Sequence, residues 1–286
     1  MTTRMRIFLT GGTGYVGGAI AEALRERGHD VAALARPEAD TARLREIGAV
    51  IVAGDIDSLP SLTESLAEYE TIVHTAQSGT RTAELANKAL DVFTTVGANL
   101  IATSGVWVLG NTQSTTEHST VNPLEIVSWR AETEQRVLDA GGCVIRPGCV
   151  YGGKQSLLKD WFAAVEQHRP IQIVGDGRNR WAMVDLHELA KLYVRAVERR
   201  AAGILHGVDD TRAPLEQCAR AVGPSSRLEF LPADAMRAKL GAFVQALVVD
   251  QVIDSSETRQ RMGWHPRRTF TSSVPEQWDE WRQQNA

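Results

Sequence analysis

Eight residues near the start of the chain constrain its fold more than any other feature: Thr10-Gly11-Gly12-Thr13-Gly14-Tyr15-Val16-Gly17. They follow Arg6-Ile7-Phe8-Leu9, which reads as a short buried strand. They open a helical pattern from Gly17 to Arg27, with Ala19, Ile20, Ala23 and Leu24 on one face and Gly28 as its stop. A glycine at position 11 permits the tight turn, Gly14 lets a pyrophosphate approach the backbone, and Gly17 lets the helix pack closely on the sheet. The helix N-terminus offers free N–H groups and a positive dipole end to phosphate. Position and spacing together predict a dinucleotide loop in which Thr10, Gly11, Thr13, Gly14, Tyr15, Val16 and Gly17 meet the nucleotide.

Strand and helix patterns keep alternating. Val31–Leu34, Val50–Ala53, Thr71–His74, Leu100–Thr103 and Cys143–Arg146 read as strands two to six. Ala42–Ile47, Leu59–Leu66, Arg81–Thr95 and Glu132–Ala140 read as the helices between them. This predicts an α/β fold, a doubly wound parallel sheet of the Rossmann type. After Pro147 the pattern changes. A helix over Leu157–Gln167, a strand over Ile171–Val174, a helix over Leu186–Arg199 and a Trp-rich end around Trp278 and Trp281 suggest a small C-terminal lobe. The division expected is a nucleotide-binding domain over 1–150, with 182–210 returning to it, and a substrate-binding lobe from 151–181 and 211–286.

The end of the second strand sets the choice of nucleotide. An acidic residue there would bond a ribose 2′-hydroxyl; this chain has Ala35-Arg36-Pro37. Asp30 precedes the strand, and Asp40 lies beyond it in the loop. Arg36 can make charge-assisted bonds to a 2′-phosphate, so the expected cofactor is NADP(H). The 286 residues carry a net charge of -4, which gives no reason to expect a nucleic-acid or anionic-membrane partner. No apolar run approaches the roughly 18 residues of a membrane span. Met1 to Met5 leads straight into a strand, and the expectation is a cytoplasmic protein without a signal peptide. Cys143, Cys149 and Cys218 have neither disulfide nor zinc spacing, so no metal is expected and they read as small buried hydrophobes.

Further motifs follow in order: Gly54-Asp55-Ile56, Val73-His74-Thr75-Ala76, Arg146-Pro147-Gly148-Cys149-Val150-Tyr151-Gly152, Met183-Val184-Asp185-Leu186 and Met262-Gly263-Trp264-His265-Pro266. With the glycine loop they resemble, over essentially the whole chain, the extended or atypical short-chain dehydrogenase/reductase superfamily, also described as NAD-dependent epimerase/dehydratase-like. The resemblance implies that Asp55, Ile56, Ala76 with the neighbouring Gln77, and Pro147 contact the cofactor.

One feature of that superfamily is missing. Its usual chemistry needs a Ser or Thr and a Tyr-x-x-x-Lys pair; the tyrosine transfers the proton and the lysine lowers its pKa and holds the ribose. Of the four tyrosines, Tyr15, Tyr69, Tyr151 and Tyr193, none has Lys at the fourth position after it. If Glu134 matches the family's helix glutamate, Arg130 stands at the lysine and Ile126 at the tyrosine. If Trp129 matches the tyrosine, Thr133 stands at the lysine. Arg130 can hold the nicotinamide ribose as a cation, but with an ordinary pKa above about 12 it is no proton donor. Tyr151 and Ser104 are the catalytic candidates by motif position, with Gly105 as the alternative match to the family serine. His118 and His74 stand behind them.

Trp107, Trp129, Trp161 and Trp181 flank these motifs and suit a bulky apolar or aromatic small-molecule substrate. Arg178 and Arg180 in Gly175–Arg180 point instead to an anionic one. The reaction expected is NADPH-dependent reduction of a carbonyl, imine or activated alkene with a non-standard proton donor. An NADP(H)-binding sensor without turnover, and an isomerase or cyclase with a structural cofactor, stay open. The resemblance implies a possible homodimer through the helices near 81–95 and 132–140, in which Leu85, Ala89 and Val92 either make the contact or only face the sheet.

Overall fold

The computed structural model of the protein describes residues 3–77, 81–153 and 156–285; Met1 and Thr2 of the N-terminal run lie outside them. The first half contains β1 (Arg6–Thr10), α1 (Tyr15–Glu26), β2 (Asp30–Ala35), α2 (Ala42–Glu46), β3 (Val50–Ala53), α3 (Thr63–Leu66), β4 (Thr71–His74), α4 (Thr82–Phe93), β5 (Asn99–Thr103), β6 (Thr112–Thr115) and α5 (Arg130–Asp139). Then come β7 (Cys143–Pro147), β8 (Cys149–Tyr151), α6 (Lys159–Glu166), β9 (Ile171–Val174), β10 (Met183–Asp185), α7 (Leu186–Glu198) and β11 (Gly203–Gly207). The chain ends with α8 (Leu215–Val222), β12 (Leu228–Leu231), α9 (Ala233–Leu240), α10 (Val244–Val248), β13 (Gln251–Ile253), α11 (Ser256–Met262) and α12 (Val274–Asn285).

The main sheet has seven strands in the order β11-β7-β5-β4-β1-β2-β3, with every neighbouring pair parallel. The six strands read from the sequence are all in it. The seventh, β11, extends the edge beside β7, from Gly203↔Cys143 to Gly207↔Pro147. Its sequence, Gly-Ile-Leu-His-Gly, has too short an apolar run between glycines to announce a strand. Only pairing with β7 makes it one.

Side chains alternate across the sheet with the period of two that strands impose. Ile7, Leu9, Val73, Ile101 and Ile145 point to the side covered by α1 and α7. Phe8, Ile72, Leu100 and Val144 point to the side covered by α4 and α5. Ala89 and Val92 of α4 belong to that second core, with Leu85 packed on it. These three residues therefore serve the sheet rather than presenting an outer apolar face.

Two local expectations change. The stretch read as a helix over Leu59–Leu66 is a 3₁₀ helix, Ile56–Leu62, leading into the single turn of α3. Pro60 lacks an N–H and disfavours a regular α-helix there. Asp55 caps this segment in a reciprocal box: its Oδ1 accepts the Ser58 N–H at 3.0 Å, and its N–H donates to Ser58 Oγ at 2.9 Å. Helix α5 begins at Arg130, two residues before the expected Glu132, and it is tied to β7 by a buried ion pair. Arg146 Nη2 lies 2.6 Å from Glu134 Oε2, with side chains 2% and 4% exposed.

The C-terminal lobe has its own core, in which Tyr151, Trp161, Phe162, Trp181 and Phe270 meet α8 and α12. The short parallel pair β9–β12 joins two of its segments, and β6–β13 ties it to the nucleotide-binding part, with β8–β10 pairing beside it. Among the described residues no helix is long and apolar enough to cross a membrane.

Candidate active site

Two connected cavities lie over the C-terminal ends of the strands. The first, about 530 Å³, is lined by Thr10, Gly11, Thr13, Gly14, Tyr15, Val16 and Gly17, with Arg36 from the end of β2, Asp55 and Ile56 after β3, and Ala76 and Gln77 after β4. Gly11 has φ +80°, and a Cβ there would lie 2.5 Å from Thr75 Oγ1 and 2.8 Å from the Ala76 nitrogen. A Cβ on Gly17 would lie 2.1 Å from the Gly11 carbonyl oxygen. At Gly14 the nearest atom would be 3.2 Å away, so the turn itself demands glycine at 11 and 17.

Helix α1 starts at Tyr15 with no side-chain cap and no acidic residue in its first turn. Its first N–H groups have no intrahelical partner and stay free for an anion. Arg36 stands at the rim, 63% exposed, with Nε 3.3 Å from Glu38 Oε1. Asp40, the nearby carboxylate that would oppose a 2′-phosphate, is outside the lining and accepts the Ala42 N–H at 2.9 Å. The glycine cradle, the free helix N-terminus and the exposed cation at the rim fit a phosphorylated dinucleotide. The sequence reading missed Asp57 and Arg81, which also line this cleft and pair with each other at 3.2 Å. No motif marks either of them.

The second cavity, about 840 Å³, shares Tyr15, Val16, Gln77 and Thr103 with the first. Ser104, Trp107, Ile126, Trp129, Arg130, Pro147, Cys149 and Phe243 contribute to its walls. Ser104 is 8% exposed, and its Oγ has no hydrogen-bond partner among the described residues. An unpaired buried hydroxyl of this kind costs stability unless a ligand satisfies it. Burial pushes the Cys149 thiol up to about 12.

Ile126, Trp129 and Arg130 all line this cavity, whereas Thr133 lies toward the rear of α5 and donates from Oγ1 to the Arg130 carbonyl at 3.0 Å. Ile126 sits in a 3₁₀ turn, Glu125–Val127, just before α5. Arg130 is 7% exposed and lines this cavity, donating to the carbonyl of Thr103, a residue that the two cavities share.

Four expected site residues lie elsewhere. Tyr151 is fully buried in the lobe core, and its hydroxyl donates to Asp209 Oδ2 at 2.8 Å. It lines neither cavity, because β8 turns its side chain toward Phe270 and away from the cleft. Trp161 and Trp181 line a separate cleft of about 400 Å³ in the lobe. Their indole N–H groups donate to the carbonyls of Gln172 at 3.2 Å and Leu247 at 3.3 Å. His118 is on the surface, 2.7 Å from Glu257. The two loop arginines also line neither cavity. Arg178 is 88% exposed, and Arg180 pairs with Asp250 at 2.8 Å.

His74 ends β4 beneath the nucleotide loop, with Nδ1 2.7 Å from Thr10 Oγ1. Burial, and secondarily the charge of Arg130, lowers its pKa from 6.5 to about 4. The folded chain keeps a neutral imidazole that the unfolded chain protonates. Its contribution to stability is therefore full above about pH 6.5 and falls as pH drops through about 4, by roughly 3 kcal/mol. Urea denaturation at pH 7 and pH 4 is expected to reveal this as an acid sensitivity reduced by that amount in His74→Gln. An equal pH dependence in the two proteins would refute it.

Known proteins match this architecture. The model of the NAD dependent epimerase/dehydratase family matches residues 7–206. An uncharacterized protein of Schizosaccharomyces pombe is 28% identical over 280 residues, covering 92% of this chain and 95% of that one. The 3-diazoavenalumate denitrifying reductase of a Streptomyces species is 28% identical over 299 residues, covering 92% and 96%. Among solved structures, the UDP-glucose 4-epimerase of Thermotoga maritima superposes with a TM-score of 0.81 at 16% identity, covering 99% of this chain and 100% of that one.

Proposed function

Because this chain belongs to the NAD dependent epimerase/dehydratase family and is an NAD(P)-dependent oxidoreductase of the short-chain dehydrogenase/reductase type, we propose that it uses NADP(H) to reduce a small-molecule substrate with a bulky apolar body. The acceptor we favour among carbonyls, imines and activated alkenes is an imine. The observation that carries this reading is Ile126 in the wall of the substrate cavity, where a tyrosine acid would stand.

A bound nicotinamide supplies the hydride. The protein's part is to hold the acceptor against it and to manage charge and protons. Reducing a neutral ketone produces an alkoxide that needs an acid in reach. The hydroxyls near the reacting end are poorly suited to that. Tyr15 donates to the Gly152 carbonyl, and Thr103 Oγ1 is 2.6 Å from the Tyr193 hydroxyl. Ser104 can donate a hydrogen bond that orients a substrate heteroatom, but a serine is no strong acid. An iminium carries its own positive charge and takes hydride without a proton in the same step. Positioning in a dry cavity then supplies much of the rate. The name of the Streptomyces relative, a denitrifying reductase of a diazo compound, supports an acceptor other than a simple ketone.

The test is NADPH consumption with matched ketones, imines and enones. Imines are expected to react fastest and simple ketones about 100-fold more slowly, the usual worth of a positioned acid. Tight NADPH binding with no turnover across the panel would overturn the reductase reading and favour a nucleotide-binding role alone.

The preference for NADP(H) rests on Arg36. Its guanidinium can reach a 2′-phosphate by breaking one exposed ion pair with Glu38, which is worth little. Arg36→Ala is expected to weaken NADPH binding about 10- to 100-fold, the value of a charge-assisted hydrogen bond, while NADH binding changes little. Tighter binding of NADH than NADPH by the unaltered chain would sink the assignment.

A further inference from the structure

Arg130 is the one charged side chain in the walls of the substrate cavity among the described residues. Its guanidinium is buried, yet no carboxylate there lies within ion-pair distance of it. Glu134, one turn further along α5, is held by Arg146. The charge of Glu134 reaches Arg130 from a distance and favours its cationic form, but the close partners among the described residues are one neutral acceptor and one ring. Nη1 donates to the Thr103 carbonyl at 3.1 Å, and the guanidinium lies 4.7 Å from the centre of the Trp129 ring.

A buried cation without a counter-ion is costly, and so is a half-satisfied guanidinium fork. The planar fork of arginine matches a carboxylate in a two-bond geometry. Ser104, with its unpartnered Oγ, lines the same cavity. Around them the walls are apolar: Trp107, Ile126, Trp129 and Phe243.

We infer that the substrate is a carboxylate with a flat apolar or aromatic body, its carboxylate paired with Arg130 and its body against Trp107 and Trp129. The inference deepens the proposed function, since it takes this cavity as the substrate site. It also moves the anionic recognition expected of Arg178 and Arg180 to a residue in the cavity itself. Burial lowers the Arg130 pKa to about 10, the charge of Glu134 opposing it only in part, and a bound anion would offset more of that cost. The competing role for Arg130 is to bond neutral ribose hydroxyls of the cofactor.

The experiment uses the full chain loaded with NADP⁺ and titrated calorimetrically with 2-naphthoate and with 2-naphthamide, its neutral counterpart of the same shape. The naphthoate is expected to bind at least about tenfold more tightly, the worth of roughly 1.4 kcal/mol. Arg130→Gln is expected to abolish that difference, and Arg130→Lys to retain part of it. NADPH affinity should change less than about threefold in either variant. Thermal melting with NADPH present confirms that each is folded. Equal affinities in the unaltered chain, or no naphthoate binding, overturn the inference. So does an Arg130→Gln protein that keeps the carboxylate preference but loses NADPH binding, which would assign Arg130 to the ribose. A carboxylate preference without turnover of any acceptor upholds this inference and sinks the reductase reading; turnover without the preference does the opposite.

Discussion

A Gly17→Ala chain is expected to bind NADPH at least about 100-fold more weakly than the parent protein, a loss of about 2.7 kcal/mol. The added methyl carbon would lie 2.1 Å from the Gly11 carbonyl oxygen and 2.7 Å from Thr75 Oγ1. The first of these is backbone and has no rotamer to escape into, so either the loop or α1 must shift. Either movement takes the first N–H groups of α1 away from the phosphates they would bind. Overpacking of this kind also lowers stability, typically by 1 to 3 kcal/mol. Gly14→Ala is the control. Its Cβ would meet only the Gly11 oxygen at 3.2 Å, and Gly14 already has φ -88°, which alanine adopts without strain. Fluorescence titration with NADPH, alongside thermal melting, separates lost binding from lost fold. Unchanged affinity in a folded Gly17→Ala protein would refute the role given to the loop.

The second large effect is a gain. Restoring the missing pair as Ile126→Tyr with Arg130→Lys is expected to raise the rate of ketone reduction by about 10² to 10⁴, the usual contribution of a positioned acid. The geometry favours it, because both positions already line the cavity, one in the 3₁₀ turn before α5 and the other in its first turn. A phenol at 126 would enter a space that opens onto Ser104. A lysine at 130 would keep a cation close enough to lower the pKa of the phenol. Neither substitution alone should produce the effect, since tyrosine without the lysine has an ordinary high pKa and lysine without tyrosine has nothing to activate. The measurement is kcat/KM on a simple aryl ketone for the parent, both single variants and the double variant. A folded, NADPH-binding double variant with no gain would mean that the absent tyrosine is not what limits ketone reduction here.

Much of this is legible in the sequence. The glycine loop announced itself because its demands are local: a strand, a turn with no room for a Cβ, and a helix start all lie within twelve residues. Five of the six strands were legible for a similar reason, since a strand buried in the middle of a parallel sheet is a largely apolar run; β3, an exposed edge strand, carries such a run without the burial. β11 was not, because five residues with a glycine at each end become a strand only when β7 supplies the hydrogen bonds. The stretch around Pro60 misled in the opposite direction: its apolar spacing suits a helix, and one missing N–H settles for a 3₁₀ turn.

The candidate site divides along the same line. Motif order placed Ser104 and Tyr151 on equal terms, yet only Ser104 reaches the cavity, because β8 directs Tyr151 into the lobe and onto Asp209. The four tryptophans were indistinguishable as residues. Trp107 and Trp129 line the cavity, while the side chains of Trp161 and Trp181 fill the core of the lobe.

By itself the sequence determined the fold class, the nucleotide loop, the cation at the end of β2 and the absence of a Tyr-x-x-x-Lys pair. Each depends on residues that are neighbours along the chain. Only the tertiary structure decided that Ile126, Trp129 and Arg130 line one cavity, that Glu134 makes its ion pair with Arg146, and that Arg130 faces that cavity with no carboxylate in ion-pair distance. These are statements about which side chains from distant segments converge and which are left over. Spacing along a chain carries that information only where one element holds both partners.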